Sequence, residues 1–277
     1  MENLQNLHTH STFCDGKNTP EEMVQFAIQK GFDSIGFSGH SYMSFSKGYS
    51  MSLEGTEEYK KVVTALKEKY KNEIEIYLGL EFEMYSNEGT ENGIDLSGYD
   101  YLIGSSHYLK IGEEIVGFDR DAKAVKDIID NYFGGNGLAF AKCYFEGFSK
   151  IYEHGNFDII GHIDIINKTL DQIPHFDPES KEYLSYAFEC IDALKGKIPL
   201  FEVNTGAISR GYRTIPYPTK TIIKQLKNKG FGVVITSDCH NGEFLDCGFE
   251  NAREILKECG FKEHYILTQN GFKAVEI

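Results

Sequence analysis

Short apolar runs of strand length recur along the chain, and each is followed by a longer stretch with helical spacing and a turn. The runs place seven candidate strands at 4–10, 33–40, 74–83, 101–107, 158–164, 200–204 and 233–240. Between them PEEMVQFAIQKG reads as a helix with Pro20 in its first turn and Gly31 at its end, because proline suits the first turn and glycine the left-handed end. TEEYKKVVTALKEKYKN, DAKAVKDIIDNYF, LAFAKCYFEGFSKIYEHG, KEYLSYAFECIDALKG, PTKTIIKQLKNKG and ENAREILKECG have the same character. This alternation predicts an α/β fold on a parallel sheet. No linker or low-complexity stretch divides it, so one domain over residues 1–277 is expected, a barrel of about seven strand-helix units. An open doubly wound sheet is the alternative.

Composition supports a packed chain: of 277 residues, 41% are hydrophobic and 25% charged. The net charge of -14 argues against a nucleic-acid partner, because binding through phosphates draws on clustered Lys and Arg. Six cysteines without a Cys-x-x-Cys pair read as free thiols of a reducing compartment. The N-terminal MENLQNLHTH has no basic stretch leading into an apolar run, and no segment approaches the roughly 20 apolar residues needed to span a bilayer. A cytoplasmic location is expected, with no membrane partner.

The candidate chemistry lies at the strand ends. Strand one ends in LHTHS, where alternation turns His8 and His10 to the same side. Later strands end in GFSGH at His40, LGLEFE at Glu81, IGSSH at His107, IIGHID at His162 and ITSDCH at Asp238 and His240. Six of the nine histidines thus follow apolar runs, which scattered surface histidines would not do. In a parallel barrel all strand C-termini open onto one face, so these groups converge. Together with Asp15 they offer nitrogen and carboxylate ligands suited to zinc, manganese or iron, too many for one tetrahedral ion. Two or three divalent ions are expected.

HTHSTFCDG, SGH, GLEFE, SSH, GHID and SDCH follow one another in the order and spacing of the polymerase and histidinol phosphatase family, which the chain resembles over nearly its whole length. The resemblance implies a distorted (β/α)7 barrel with a trinuclear metal site at the C-terminal ends of the strands. By it His8, His10, Glu81 and Asp238 hold one ion, Glu81 bridges to a second held by His107 and His162, and Asp15, His40 and His240 hold the third. Many members carry a histidine where this chain has Asp15, which implies a third ion held more weakly or of another kind.

Within that family, EVNTGAISRGYRTIPYP resembles the corresponding stretch of histidinol-phosphate phosphatases. The likeness implies metal-dependent hydrolysis of L-histidinol phosphate to L-histidinol and phosphate, a step of histidine biosynthesis, with Arg210 gripping the phosphate. A guanidinium offers paired donors to phosphate oxygens and stays charged. Lys168, after GHID, is the candidate for a second phosphate contact, as a point charge. Glu202 and Asn204 either line the site or pair within the barrel. Divalent ions lower the pKa of a bound water toward roughly 7, which supplies a nucleophile. Asp238 or His240 would relay a proton to the leaving alcohol. The rival readings are a nucleotide phosphoesterase or exonuclease, a protein-tyrosine phosphatase, and a metal-stabilised binding module.

Overall fold

The computed structural model describes residues 3–46, 48–85, 91 and 93–277. The chain opens with β1 (Gln5–Asn6), α1 (Pro20–Gln29), β2 (Ser34–Phe37), α2 (Leu53–Tyr70), β3 (Glu75–Tyr85), β4 (Tyr101–Ile111) and β5 (Glu114–Gly117). There follow α3 (Ala122–Phe133), α4 (Gly137–Phe148), β6 (Ile159–Ile160), α5 (Lys181–Leu194), β7 (Leu200–Asn204) and α6 (Gly206–Ser209). The last elements are α7 (Lys220–Lys229), β8 (Gly232–Thr236), α8 (Phe249–Glu258), β9 (Glu263–Thr268) and β10 (Gly271–Glu276).

Strands β1, β2, β3, β4, β6, β7 and β8 pair in that order, every neighbour parallel, so the described residues form a nearly closed seven-stranded barrel wrapped by helices. The seam closes beyond the ends of β1 and β8, where His10 N–H donates to the Cys239 carbonyl (2.9 Å) and Cys239 N–H to the His8 carbonyl (3.0 Å). The alternation of apolar runs predicts no element at β5, β9 or β10. β5 pairs antiparallel with β4, and β9 with β10 forms a hairpin clamped by Gln5, whose amide exchanges hydrogen bonds with Leu267 N–H (2.7 Å) and C=O (2.9 Å). The helix expected over 138–155 stops at Phe148, and a short 3-10 turn carries Ile151 inward over Gly104, where an added Cβ would lie 2.5 Å from Ile151 Cδ1.

Local signals account for the regular elements. Helix α1 starts with a capping box, in which Thr19 Oγ1 accepts from Glu22 N–H (3.3 Å) and the Glu22 carboxylate accepts from Thr19 N–H (2.8 Å). It is followed by Gly31 at φ 77, a left-handed conformation that glycine adopts without cost. The larger core lies between strands and helices. A second, smaller cluster of Leu7, Tyr77, Tyr101, Ile103, Ile159, Leu200 and Val234 fills the barrel interior. Among the described residues no helix is long and apolar enough to cross a membrane.

Candidate metal centre

Alternation along the strands builds the site. On β3 the series Tyr77, Gly79, Glu81, Glu83 shares one side, and on β4 so does Tyr101, Ile103, Ser105, His107. The first members of each series join the interior cluster, and the later ones are polar yet buried: Glu81 is 1% exposed, Glu83 2% and His107 4%. His8 and His10 at the end of β1, both wholly buried, meet them from the seam. After His10 the chain doubles back, with Cys14 N–H and Gly16 N–H both donating to the Ser11 carbonyl (3.0 Å each). A Cβ at Gly16 would lie 2.4 Å from Ser11 N, so only glycine permits the close turn that returns Asp15 to the histidines. Asp238 is held at φ 46, in the left-handed region, a strained conformation for a non-glycine residue.

All nine residues expected as ligands come together. His8 Nε2 lies 3.3 Å from Glu81 Oε2 and 3.7 Å from Asp238 Oδ1, and His10 Nε2 lies 3.6 Å and 3.1 Å from the same two oxygens. Around the other oxygen, Glu81 Oε1, stand His162 Nε2 (3.0 Å) and His107 Nε2 (3.7 Å), themselves 3.2 Å apart. Asp15 gathers His40 Nε2 (3.6 Å), His240 Nε2 (3.2 Å) and His10 Nδ1 (3.8 Å). Here the grouping is wider than the resemblance implied, for His10 joins Asp15, His40 and His240, while His40 also touches Glu81 Oε2 through Nδ1 (2.7 Å).

The spacings fit small divalent cations. With metal–ligand bonds of about 2.0–2.1 Å, neighbouring ligand atoms of a tetrahedral ion lie about 3.3 Å apart. The four imidazole–carboxylate spacings around the first group, 3.1 to 3.7 Å, straddle that value. The hydrogen-bonding pattern agrees. His8 Nδ1 donates to Glu202 (2.5 Å) and His107 Nδ1 to Glu83 (2.7 Å), so each ring turns Nε2 inward. His8 Nε2, His10 Nε2 and Glu81 Oε2 are buried without a hydrogen-bond partner. Buried nitrogen and oxygen atoms converging in this way form a donor set suited to a cation.

The electrostatics point the same way. Burial pushes the Glu81 carboxyl up, but His8, His40 and His107 outweigh it and hold it well below the usual carboxylate range. Burial likewise opposes ionisation of Asp238, which Arg210 and His8 hold well below its ordinary value. Burial, with His240 and His40 facing it, lowers His10 to about 3, whereas at His107 Glu83 and Glu81 overcome burial and raise the ring to about 10. Cations entering here displace protons from imidazoles.

Beside the cluster opens a cleft of about 510 Å³ lined by Asp15, His40, His107, Asp238 and His240, and also by Lys17, Tyr49, Asp119, Lys168, Arg210, Tyr212 and Phe244. Arg210, following α6, donates from Nη2 to Asp238 Oδ2 (2.9 Å) and from Nη1 to the Asp238 carbonyl (3.1 Å), with His240 Nδ1 3.2 Å away. Lys168 reaches the cleft with its ammonium held by Asp119. Glu202 and Asn204 pair within the barrel: Glu202 accepts from His8, from His162 N–H (2.8 Å), from Asn204 Nδ2 (3.1 Å) and from Thr236 Oγ1 (3.1 Å). Glu83, Tyr49 and Asp119 were not expected from sequence. Alternation from Glu81 could have found Glu83; Tyr49, stacked 4.1 Å from the His40 ring, and Asp119 sit on loops that no periodicity orients.

Residues 6–206 match the model of the PHP domain family, a span that holds seven of the nine clustered residues and stops short of Asp238 and His240. The chain is 26% identical over 267 residues to a Deinococcus radiodurans protein named probable histidinol-phosphatase, covering 94% of this chain and 95% of that one. It is 25% identical over 262 residues to the histidinol-phosphatase of Bacillus subtilis, covering 88% and 96%. Among solved structures, the histidinol phosphate phosphatase of Lactococcus lactis, complexed with zinc, L-histidinol and phosphate, superposes with a TM-score of 0.72 at 22% identity, covering 98% of this chain and 99% of that one. That likeness concerns the fold. With the matched span exceeding half its length, the chain belongs to the PHP domain family.

Proposed function

We propose that this protein is a metal-dependent phosphomonoesterase that hydrolyses L-histidinol phosphate to L-histidinol and phosphate. The observation that carries the reading is the gathering of nine His, Asp and Glu side chains, Glu81 at their centre, at the mouth of a cleft that also presents Arg210 and Lys168. Kinship with histidinol-phosphatases over most of the chain supports the choice of substrate.

His8, His10, Glu81 and Asp238 would hold one ion, Glu81, His107 and His162 a second, and Asp15, His40 and His240, with His10 alongside, a third. Bound there, two or three zinc, manganese or iron ions would acidify a water and neutralise charge on the phosphoryl group. Arg210 stands where its guanidinium can donate to phosphate oxygens at the cleft wall while staying anchored to Asp238. That anchor favours the ionised carboxylate, which leaves Asp238 without a proton to give near neutral pH. His240 is therefore the better carrier of the proton required by the departing alcohol. Glu202 and Glu83 fix the His8 and His107 rings through Nδ1 and so preset the inward nitrogens.

The test is phosphate release by manganese- or zinc-loaded protein from L-histidinol phosphate, beside mononucleotides, phosphotyrosine and short single-stranded DNA. A strong preference for L-histidinol phosphate is expected. Preference for a nucleotide or DNA would overturn the substrate, and no turnover of any ester would overturn the enzymatic reading.

A further inference from the structure

A phosphate site should be rich in cations, and Lys17, Lys168 and Arg210 meet that need in the cleft. Asp119 does not. It lines the same cleft, belongs to none of the metal-type groupings, and its carboxylate would repel a phosphate dianion. Its position is nonetheless well built. Phe118, 2% exposed, is packed edge-on against Phe140 and Tyr144, and its N–H donates to the His107 carbonyl (3.0 Å), which sets the next residue beside the site. Lys168 arrives from the turn after His162 and donates to both the Asp119 carbonyl (2.7 Å) and Oδ1 (2.8 Å), with Tyr212 4.7 Å beneath its ammonium. The lysine is 8% exposed and the aspartate 20%, so the pair is shielded but open on the cleft side.

An ion pair at a cleft wall is complementary to a ligand that carries both charges, since each end can trade its partner for the opposite charge on the ligand. L-Histidinol phosphate is such a ligand, with an ammonium one carbon removed from the phosphoester carbon. We propose that Asp119 is the receptor for the substrate ammonium and Lys168 its counterpart toward the phosphate, so that the pair selects phosphomonoesters of amino alcohols over uncharged ones. This rests on the substrate reading above. Asp119 is thereby a specificity residue, touching the substrate away from the reacting atoms.

The experiment compares kcat/KM of the metal-loaded protein for L-histidinol phosphate and for imidazolylpropyl phosphate, the same skeleton without the amine, in the native protein and in Asp119→Asn. The ratio of the two should fall by about 10- to 100-fold in the variant, the worth of one charge-assisted hydrogen bond. Inhibition supplies a readout of opposite sign: L-histidinol should inhibit the variant more weakly, and inorganic phosphate more strongly, because Lys168 has lost its counter-charge. An unchanged ratio, or equal weakening of both inhibitors, would overturn the proposal and leave Asp119 a structural partner of Lys168. If the variant does not accumulate, the native protein still decides: hydrolysis of the amine-free ester as efficient as that of L-histidinol phosphate removes Asp119 from ammonium recognition. Failure of the native protein to hydrolyse L-histidinol phosphate at all would instead refute the substrate reading.

Discussion

Exchanging Glu202 for Gln changes one atom and removes a buried charge, and its consequences can be worked from the contacts. Oε1 serves His8 Nδ1 (2.5 Å) and Thr236 Oγ1 (3.1 Å), while Oε2 serves His162 N–H (2.8 Å) and Asn204 Nδ2 (3.1 Å). A glutamine has one acceptor oxygen for these two sets of donors, so whichever way its amide turns, an NH2 group faces donors that have lost their acceptor. One buried unsatisfied donor costs about 1–3 kcal/mol, and weakening the charge-assisted bond to His8 costs about 1–2 more, so Glu202→Gln should destabilise by about 2–5 kcal/mol. Unfolding entropy of about 2.1 cal/mol/K per residue over 277 residues is about 0.6 kcal/mol/K, which converts that loss to a fall in Tm of about 3–9 °C. The same change loosens His8 and lowers its basicity, for which a 10- to 100-fold loss of metal affinity is the usual order, roughly. Calorimetry of the metal-free protein and competition with a chromophoric chelator measure the two effects separately. A Tm within about a degree of the native protein, together with affinity within about twofold, would refute the assignment of Glu202 as the group that sets the His8 ring.

Two further changes probe the centre itself. Glu81→Ala removes the carboxylate that lies between the His107–His162 and His8–His10 pairs, so metal analysis should find two ions lost and activity abolished; full metal content would refute the bridging role. Gly206→Ala places a Cβ 2.8 Å from Arg210 Nη2 and 2.9 Å from Asp238 Cβ. Displacing both by a few tenths of an ångström should cost about 10- to 100-fold in kcat/KM with the fold retained by circular dichroism, and native kinetics would show that their placement is not critical.

All the ligands but Asp15 were legible because they stand at the ends of apolar runs, where strand direction fixes the face; Asp15 comes back on the turn after His10. His107 and Glu81 could be assigned to one end of a barrel before any distance was known, and Glu83 was readable by the same alternation, two residues beyond Glu81. The β9–β10 hairpin also carried a signal, since the dipeptide Asn270-Gly271 favours a tight turn between two strand-like runs; the turn falls on Gln269 and Asn270, with Gly271 opening β10. Other features lay outside any local pattern. Asp119 and Lys168 are 49 residues apart, and their pairing follows from where one loop leaves β5 and another leaves β6, the two strands that flank β4. Strands β1 and β6 each keep two regular residues, far fewer than their apolar runs suggested: beyond β1 the chain continues as the isolated bridge to Cys239 that closes the barrel, and beyond β6 the His162 N–H turns to the Glu202 carboxylate.

The barrel interior explains why so many charged groups can be buried at one end. Tyr101 rises from β4 across the lumen, and its hydroxyl donates to the carbonyls of Leu7 and Phe37, the latter at 3.1 Å. It fits because β2 and β3 contribute Gly36 and Gly79 at the crossing: a Cβ at Gly36 would lie 2.4 Å from the hydroxyl, and one at Gly79 2.3 Å from the ring. With Tyr77, Ile103, Leu200 and Val234 the ring makes an apolar floor. Further along each strand, two residues on from Gly79, Ile103, Leu200 and Val234, the same face becomes Glu81, Ser105, Glu202 and Thr236, so the carboxylates rest on hydrocarbon and are open to ligands from the mouth alone. Low polarizability below strengthens every interaction above it, between Glu81 and the imidazoles as much as between Glu202 and His8. The glycines that admit Tyr101 are therefore as much a part of the centre as the histidines, since a side chain at either would lift the floor into the site.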